Sequence, residues 1–358
     1  MKRLASSIIL CSLLLFCACE SAIEDYGRGN DGTLLVNLDI SVALSDVSTA
    51  LTRATKDADA ANENEKMHTL RVVIVRPDWT VEANRLIDLK AAATLQHQVA
   101  EPFPVVGNEQ KLIYLFVNEG TTAINKVDNI SRKLLDFDLS KIEVGYYFPI
   151  NTIEGLKIKL EDNTEQIEGP LPMSERHEYF VNKEPQQSCN LFVTRAAVKF
   201  TFHIINNSAN SITLNGVTIN KMAQEEWYIP RAKYSEPNKN GQREIIEYEV
   251  PAGVGYYTYG EETFVKVMTV NTGGKRVLDP IYLLESKYTD DPDSEGRNYS
   301  MKININSIQK KLYLPELNTL PRNTHVVVNI TFNKDATVSY EVDVIPYSEI
   351  PLEPDFGL

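Results

Sequence analysis

Residues Thr33 to Arg53 read TLLVNLDISVALSDVSTALTR, and this stretch decides the fold. Leu34, Val36, Leu38, Ile40, Val42 and Leu44 alternate with other residues, among them Asn37, Asp39 and Ser41. A period of two places one set on one face of a β-strand and the other set on the opposite face, so the pattern predicts a strand with one buried side. Beyond it, Leu51-Thr52-Arg53-Ala54 leads into KDADAANENEK, which has no apolar face and is expected as an exposed loop. A core strand is thus tied to the rest of the chain by a segment within reach of an Arg-specific protease. Cut after Arg53, it would be held only by its pairing and its apolar side chains, a gross upper bound of about 10 kcal/mol or more. Its loss would leave a groove of the same shape. The same residues also read as an ordinary first strand followed by an ordinary loop.

Toward the amino terminus, Lys2 and Arg3 precede an apolar run from Leu4 to Ala18, short for a membrane span and of the form of a secretory signal. The run ends in Leu15-Phe16-Cys17-Ala18-Cys19, which resembles a bacterial lipobox. Ala18 is the small residue expected before Cys19, the cysteine that would be lipidated and become the first residue of the mature chain. Phe16 before Cys17 does not fit. Conventional signal cleavage nearby is the alternative. Three of the four cysteines, Cys11, Cys17 and Cys19, fall in or at the end of this segment, leaving Cys189. That distribution excludes a disulfide framework and a multi-cysteine metal site. The net charge of −13, which becomes −15 once Lys2 and Arg3 are removed, argues against nucleic acid or anionic membrane surfaces as partners.

The body of the chain reads as strands. Leu70 to Val75 and Leu112 to Val117 are short apolar runs rich in β-branched and aromatic residues. Ser131 to Leu139 and Ile150 to Leu160 are ambiguous, with room for short helices, and Glu161 to Glu178 reads as a polar loop leading to Tyr179-Phe180-Val181. In the second half, Ala196, Val198, Phe200, Phe202 and Ile204 alternate, and Ile212 to Ile219, Glu244 to Val250, Phe264 to Val270, Lys302 to Ile305, His325 to Phe332 and Thr337 to Ile345 follow as strands. In the last of these Val338, Tyr340, Val342 and Val344 share one face. Many short strands between Gly, Asn and Pro clusters predict a mainly all-β chain of antiparallel sandwiches with a few short helices. About 340 mature residues predict two domains, 54–188 and 189–358, with the junction near Cys189.

A search for catalytic or metal chemistry finds little. The five histidines, His68, His97, His177, His203 and His325, lack paired ligand spacing, and His177-Glu178 is followed at the second ligand position by Val181. Gly253-Val254-Gly255 and Gly273-Gly274-Lys275 lack the spacing of nucleotide loops, and no nucleophile elbow occurs. Cys189 reads as a small buried residue. Thr289 to Gly296, TDDPDSEG, reads as a solvated acidic loop, without the regular oxygen spacing of a calcium loop. Trp227-Tyr228 and Tyr256-Tyr257-x-Tyr259 suit core or interface packing better than a sugar-stacking platform. No enzyme, metal or cofactor is expected.

Several phrases together resemble the fimbrillin family, the pilin-like surface lipoproteins of Bacteroidetes. They are the leader through Cys19, the strand, loop and Arg53 arrangement, Glu65 to Val75 (EKMHTLRVVIV), Leu112 to Asn118 (LIYLFVN), Pro172-Met173-Ser174, Leu191 to Phe200 with Arg195 ahead of its strand, and Arg322 to Ile330 (RNTHVVVNI). The resemblance implies two transthyretin-like β-sandwich domains and export to the outer membrane as a lipidated precursor. It also implies cleavage between Arg53 and Ala54, removal of the segment 19–53 with its first strand, and polymerisation with other fimbrial subunits. In that scheme a neighbour's carboxy-terminal strand fills the vacated groove by β-augmentation. The tail after Ile345, PYSEIPLEPDFGL, departs from the pattern because its prolines cannot donate to a ladder, so the donor would be Thr337 to Ile345. The rival reading is a monomeric surface lipoprotein that binds glycan or a host ligand.

Overall fold

The computed structural model describes residues 34–45, 47–48, 62–231, 233–234, 236, 243–247, 249–260, 268–287, 299–306, 308–314, 319–335 and 337–346. The first half contributes strands β1 (Leu35–Leu44), β2 (Thr69–Val75), β3 (Val81–Asp88), β4 (Gln96–Gln98), β5 (Phe103–Val106), β6 (Glu109–Val117), β7 (Met173–Val181) and β8 (Gln186–Arg195). The second contributes β9 (Val198–Asn206), β10 (Ile212–Ala223), β11 (Tyr256–Tyr259), β12 (Lys275–Val277), β13 (Ile281–Leu283), β14 (Ser300–Ile305), β15 (Ile308–Tyr313), β16 (Thr324–Phe332) and β17 (Val338–Pro346). Helix is confined to one turn of α-helix at Ile150–Glu154 and three single 3-10 turns among the described residues. The chain is an all-β sandwich fold, as its alternating apolar patterns predict.

In the first half the strand order is β3-β2-β6-β7-β8-β1-β4, with β5 also on β1. The backbone pairing of β7 with β8 is limited to Met173 opposite Arg195 and Ser174 opposite Thr194, so the strands part into two groups that share one core. Where they separate, side chains cap the freed carbonyls of β8: His177 Nε2 lies 2.7 Å from the Phe192 oxygen, and the Tyr179 hydroxyl donates to Ser188 at 3.1 Å. The second half repeats this plan. β9 lies between β16, parallel to it, and the antiparallel β12 and β13, just as β1 lies between the parallel β8 and the antiparallel β4 and β5. β17 then pairs antiparallel along the free edge of β16. A second sheet of order β11-β10-β14-β15 completes this half, with Met268–Val270 also on β10.

Two sequence expectations need correction. The sheets are not wholly antiparallel, since β1 with β8 and β9 with β16 run parallel. Glu161 to Glu178 is not a loop: Glu165–Glu168 and β7 are strands within it, and the charged residues that suggested a loop are paired, Glu165 with Arg132 and Glu175 with Thr194. Cys189, near which the sequence reading places the domain junction, lies inside β8, which runs unbroken to Arg195, and stands opposite Ile40 of β1.

Candidate functional site

The slot that holds β1 is built from both sides. Asn37 to Leu44 pair with Gln186 to Val193, while Ser41 to Ala43 pair with β4 and Leu35 to Leu38 with β5. Both backbone edges of the strand are therefore used, which is the position of an interior strand. Val36, Leu38, Ile40, Val42 and Leu44 are all buried, and Leu34 packs at the margin of the same core. Five such side chains stabilise the strand by a gross upper bound of about 10 kcal/mol. The polar face carries Asp39, whose carboxylate accepts from the Gln186 side chain at 3.0 Å.

Two features close the ends of the slot. At the start, Gly107 N–H donates to the Leu34 carbonyl at 2.8 Å, and its position leaves no room for a side chain: a Cβ there would stand 2.7 Å from Val36 Cγ2 and 2.8 Å from the Asn182 carbonyl. At the finish, Ser45 N–H donates to Val193 at 2.7 Å, and the Ser45 carbonyl accepts from Asn323 Nδ2 at 2.8 Å. Val47–Ser48 then pair in parallel with Arg243–Glu247 of the second half. The first strand and its exit thus bind both halves.

Beneath this exit lies a buried polar layer. Arg195, fully buried, donates to the Glu65 carbonyl at 3.1 Å and to Asn323 Oδ1 at 3.1 Å. Lys199 Nζ stands 2.8 Å from Glu65 Oε1, which also accepts from the Tyr282 hydroxyl at 2.8 Å. Arg322 holds Glu285 through Nε at 3.1 Å and Nη2 at 3.0 Å, donates to the Tyr228 carbonyl at 3.0 Å, and also reaches the Trp227 carbonyl. Glu226 lies 3.6 Å from the same guanidinium. Glu285 takes the direct hydrogen bonds from Arg322, though burial raises its carboxyl above the ordinary value; burial, with the Glu285 charge nearby, pushes Glu226 up to about 8. Burial likewise holds the His325 imidazole down at about 3, so it sits neutral against the Thr201 hydroxyl. Arg195 and Arg322 each stand just ahead of a strand, β9 and β16, that pairs with the other, and this recurrence of an arginine before an apolar run was the sequence signal for the layer.

Of the residues singled out from sequence, Cys19, Arg53 and Ala54 lie outside the described residues, as does the Thr289 to Gly296 loop. Leu34, Val36, Leu38, Ile40, Val42 and Leu44 come together as one face of the slot. The other candidate strand, β17, differs in kind: among the described residues it pairs on one side only, with Val338, Tyr340, Val342 and Val344 opposite Phe332, Ile330, Val328 and Val326. Val338, Val342 and Val344 pack on the core, while Tyr340 remains 40% exposed. Cys189 is buried beside Ile40, and desolvation pushes its thiol up to about 12. Tyr228 and Tyr259 are buried, and Trp227 lies beneath the Arg231 guanidinium, 3.6 Å from the ring centroid. Among the described residues the most exposed aromatics are instead Tyr146 and Tyr147, at 65% and 66%, followed by Phe180, and the sequence reading did not single out the two tyrosines. Among the described residues no group of three His, Cys, Asp or Glu side chains is placed to hold a metal ion.

No protein-family model matches the sequence, and no curated protein matches it. The solved structures similar to it in fold include the tip fimbrial protein Mfa3 from Porphyromonas gingivalis with C-terminal truncation, 11% identical, with 87% of this chain and 99% of that chain covered and a TM-score of 0.49. A fimbrilin from Porphyromonas gingivalis is 14% identical over 87% of this chain and 98% of that chain, with a TM-score of 0.46. A fimbrial assembly protein from Parabacteroides distasonis is 9% identical over 87% of this chain and 99% of that chain, with a TM-score of 0.44.

Proposed function

We propose that the chain is a structural subunit of a cell-surface fimbria, stalk or tip, with no catalytic role. It would be exported as a lipoprotein through Cys19, cut after Arg53, and assembled when a neighbour's strand replaces β1. The class of protein rests on the sequence resemblance. The mechanism rests on one observation: β1 is an interior strand with its whole apolar face buried, yet it belongs to the short piece of chain ahead of Arg53. Losing it would unpair β8 on one side and β4 and β5 on the other, so the vacancy would offer a complete two-sided ladder to an incoming strand. β17 is the donor that the geometry favours. It is nine residues long against ten for β1, it carries alternate apolar residues, and among the described residues it is held along a single edge.

The same topology supports a division into two sandwiches after Arg195, where β8 ends and β9 opens the second slot. Cells expressing Arg53→Ala together with Lys56→Ala test the assembly scheme, since the second change removes the nearest alternative cleavage site. SDS-resistant ladders should disappear, and the wild-type polymer should begin at Ala54 on amino-terminal sequencing. Ladders from the double variant, or a polymer beginning at Cys19, would overturn cleavage-dependent strand exchange, and a wild-type chain that begins at Cys19 and forms no ladder would replace this reading with that of a monomeric surface binder.

A further inference from the structure

Among the described residues, the strands of the sheet formed by β11, β10, β14, β15 and Met268–Val270 contain no aspartate or glutamate, in a chain that has 49 of them. It does contain Lys302, Lys310 and Lys311 on two adjacent strands. Lys302 and Lys311 are directly opposite in the register of β14 and β15, so their Cβ atoms stand about 5 Å apart on one face. Both are exposed, and no carboxylate of the described residues lies within salt-bridge distance of either, or of Lys310. Several cations on the other sheets are neutralised: Lys111 by Glu82 and Glu109, Lys157 and Lys159 by Glu225, Arg132 by Glu165.

Lysine on an edge strand is a common guard against edge pairing, and Lys310 and Lys311 on β15 fit that role. Lys302 does not, because β14 is flanked on both sides by β10 and β15. Like charges directly opposite one another destabilise a sheet. An interior lysine facing a second lysine, on an acid-free sheet of an acidic protein, therefore carries a cost that a bound anion would remove. The row containing the pair continues to Thr218 on β10, and the next row carries Asn304 and Gln309. Hydroxyl and carboxamide groups beside paired ammonium groups suit a chain of sugars bearing carboxylate or sulfate. The Tyr313 ring is covered by Lys311 Nζ, 4.5 Å from its centroid, which removes the aromatic face that nucleic-acid bases would stack on.

We propose that this face binds a linear anionic polysaccharide, uronate or sulfated, with Lys302 and Lys311 as its charge-reading pair. The proposal does not depend on strand exchange. The full chain, purified in a non-ionic detergent, would be titrated with polygalacturonate and with heparin at about 50 and about 300 mM NaCl. Binding of at least one polymer at low salt, weakened at high salt, is expected. Lys302→Gln with Lys311→Gln should weaken it by about tenfold or more, the scale of one or two charge-assisted contacts, while raising or preserving the melting temperature. Lys275→Glu with Arg276→Glu, a basic pair on β12 in the other sheet, should leave binding unchanged. Absence of binding to both polymers, equal loss in the control pair, or equally tight binding of single-stranded DNA of matched charge would each overturn the assignment.

Discussion

Asn323 Nδ2 and the Ser45 carbonyl are joined by a buried hydrogen bond of 2.8 Å that ties the exit of the first strand to the second half of the chain. Asn323 Oδ1 accepts from Arg195, so one side chain satisfies two groups that have no water to turn to. Its backbone sits at φ 60°, a left-handed position that asparagine tolerates better than most residues. Asn323→Gly keeps that backbone and deletes both hydrogen bonds. It should cost about 1–3 kcal/mol, the price of leaving buried polar groups unpaired, read as a lower urea midpoint. If strand release governs assembly, a chain cut after Arg53 should also lose its amino-terminal fragment faster on gel filtration when Asn323 is replaced.

Cys189 provides a reporter for the slot. Its thiol lies beside Ile40, away from water, and burial raises its pKa to about 12. A thiol reagent needs both access and thiolate. In the chain from Glu20 onward, where Cys189 is the one cysteine, labelling should be negligible while β1 is in place and rapid once the strand has been removed. Refilling the slot with a donor strand should protect the thiol again. Equal labelling before and after removal would mean that β8 is not uncovered.

The strands around this slot were legible because period two survives wherever one face is buried, as in Val36 to Leu44 and Val338 to Val344. What was not legible has a physical cause in each case. The partner of β1 is a parallel strand some 150 residues away, and alternation says which face is buried without saying which edge is paired with what. β7 was hidden because Glu175 and Arg176 read as solvent-facing: Arg176 is exposed and reaches Glu154, but Glu175 is buried against Thr194. Glu226 drew no reading from sequence, because the partner that makes its burial tolerable, Arg322, lies nearly 100 residues on.

Gly107 is the residue against which the start of β1 closes. A Cβ there would meet Val36 Cγ2 at 2.7 Å and the Asn182 carbonyl at 2.8 Å, and a carbonyl in the backbone cannot turn away as a side chain can. Gly107→Ala should therefore destabilise the uncut chain by about 1–3 kcal/mol, as overpacking in cores does. Hydrogen exchange should localise the loosening to Leu35–Leu38 and β5. An unchanged exchange pattern there would show that the slot adapts.

Glu226 gives the stability a pH dependence of defined sign. Its carboxyl is raised from the ordinary 4.5 to about 8 in the fold, mainly by burial. A carboxyl raised in this way favours the folded state most fully below its ordinary value, and that contribution is lost as pH climbs through about 8. Stability from this group should decline between about pH 4.5 and 8. Glu226→Gln should flatten that decline and leave the protein as stable or more so at neutral pH, because a neutral amide replaces a carboxyl that resists ionisation. Melting curves of both proteins across that range check the sign.

The two apolar strands that frame the assembly scheme should respond oppositely to the same insult. Ile40 is buried at the centre of an interior strand, with main-chain partners on both sides. Ile40→Asp would bury an unpaired carboxylate and should prevent the precursor from folding, since the cost is several kcal/mol or more. Val342 lies on an edge strand, half-buried, opposite Val328. Val342→Asp has solvent within reach and should leave a folded, exported monomer with a modestly lowered melting temperature. If the face of Val338, Tyr340, Val342 and Val344 fills a neighbour's slot, that monomer should still lose its first strand to the protease yet fail to polymerise, because the aspartate would then have to enter the dry position held by an aliphatic residue of β1. Wild-type ladders from Val342→Asp would remove β17 as the donor, and a folded precursor from Ile40→Asp would show that β1 does not fill an essential place in the core.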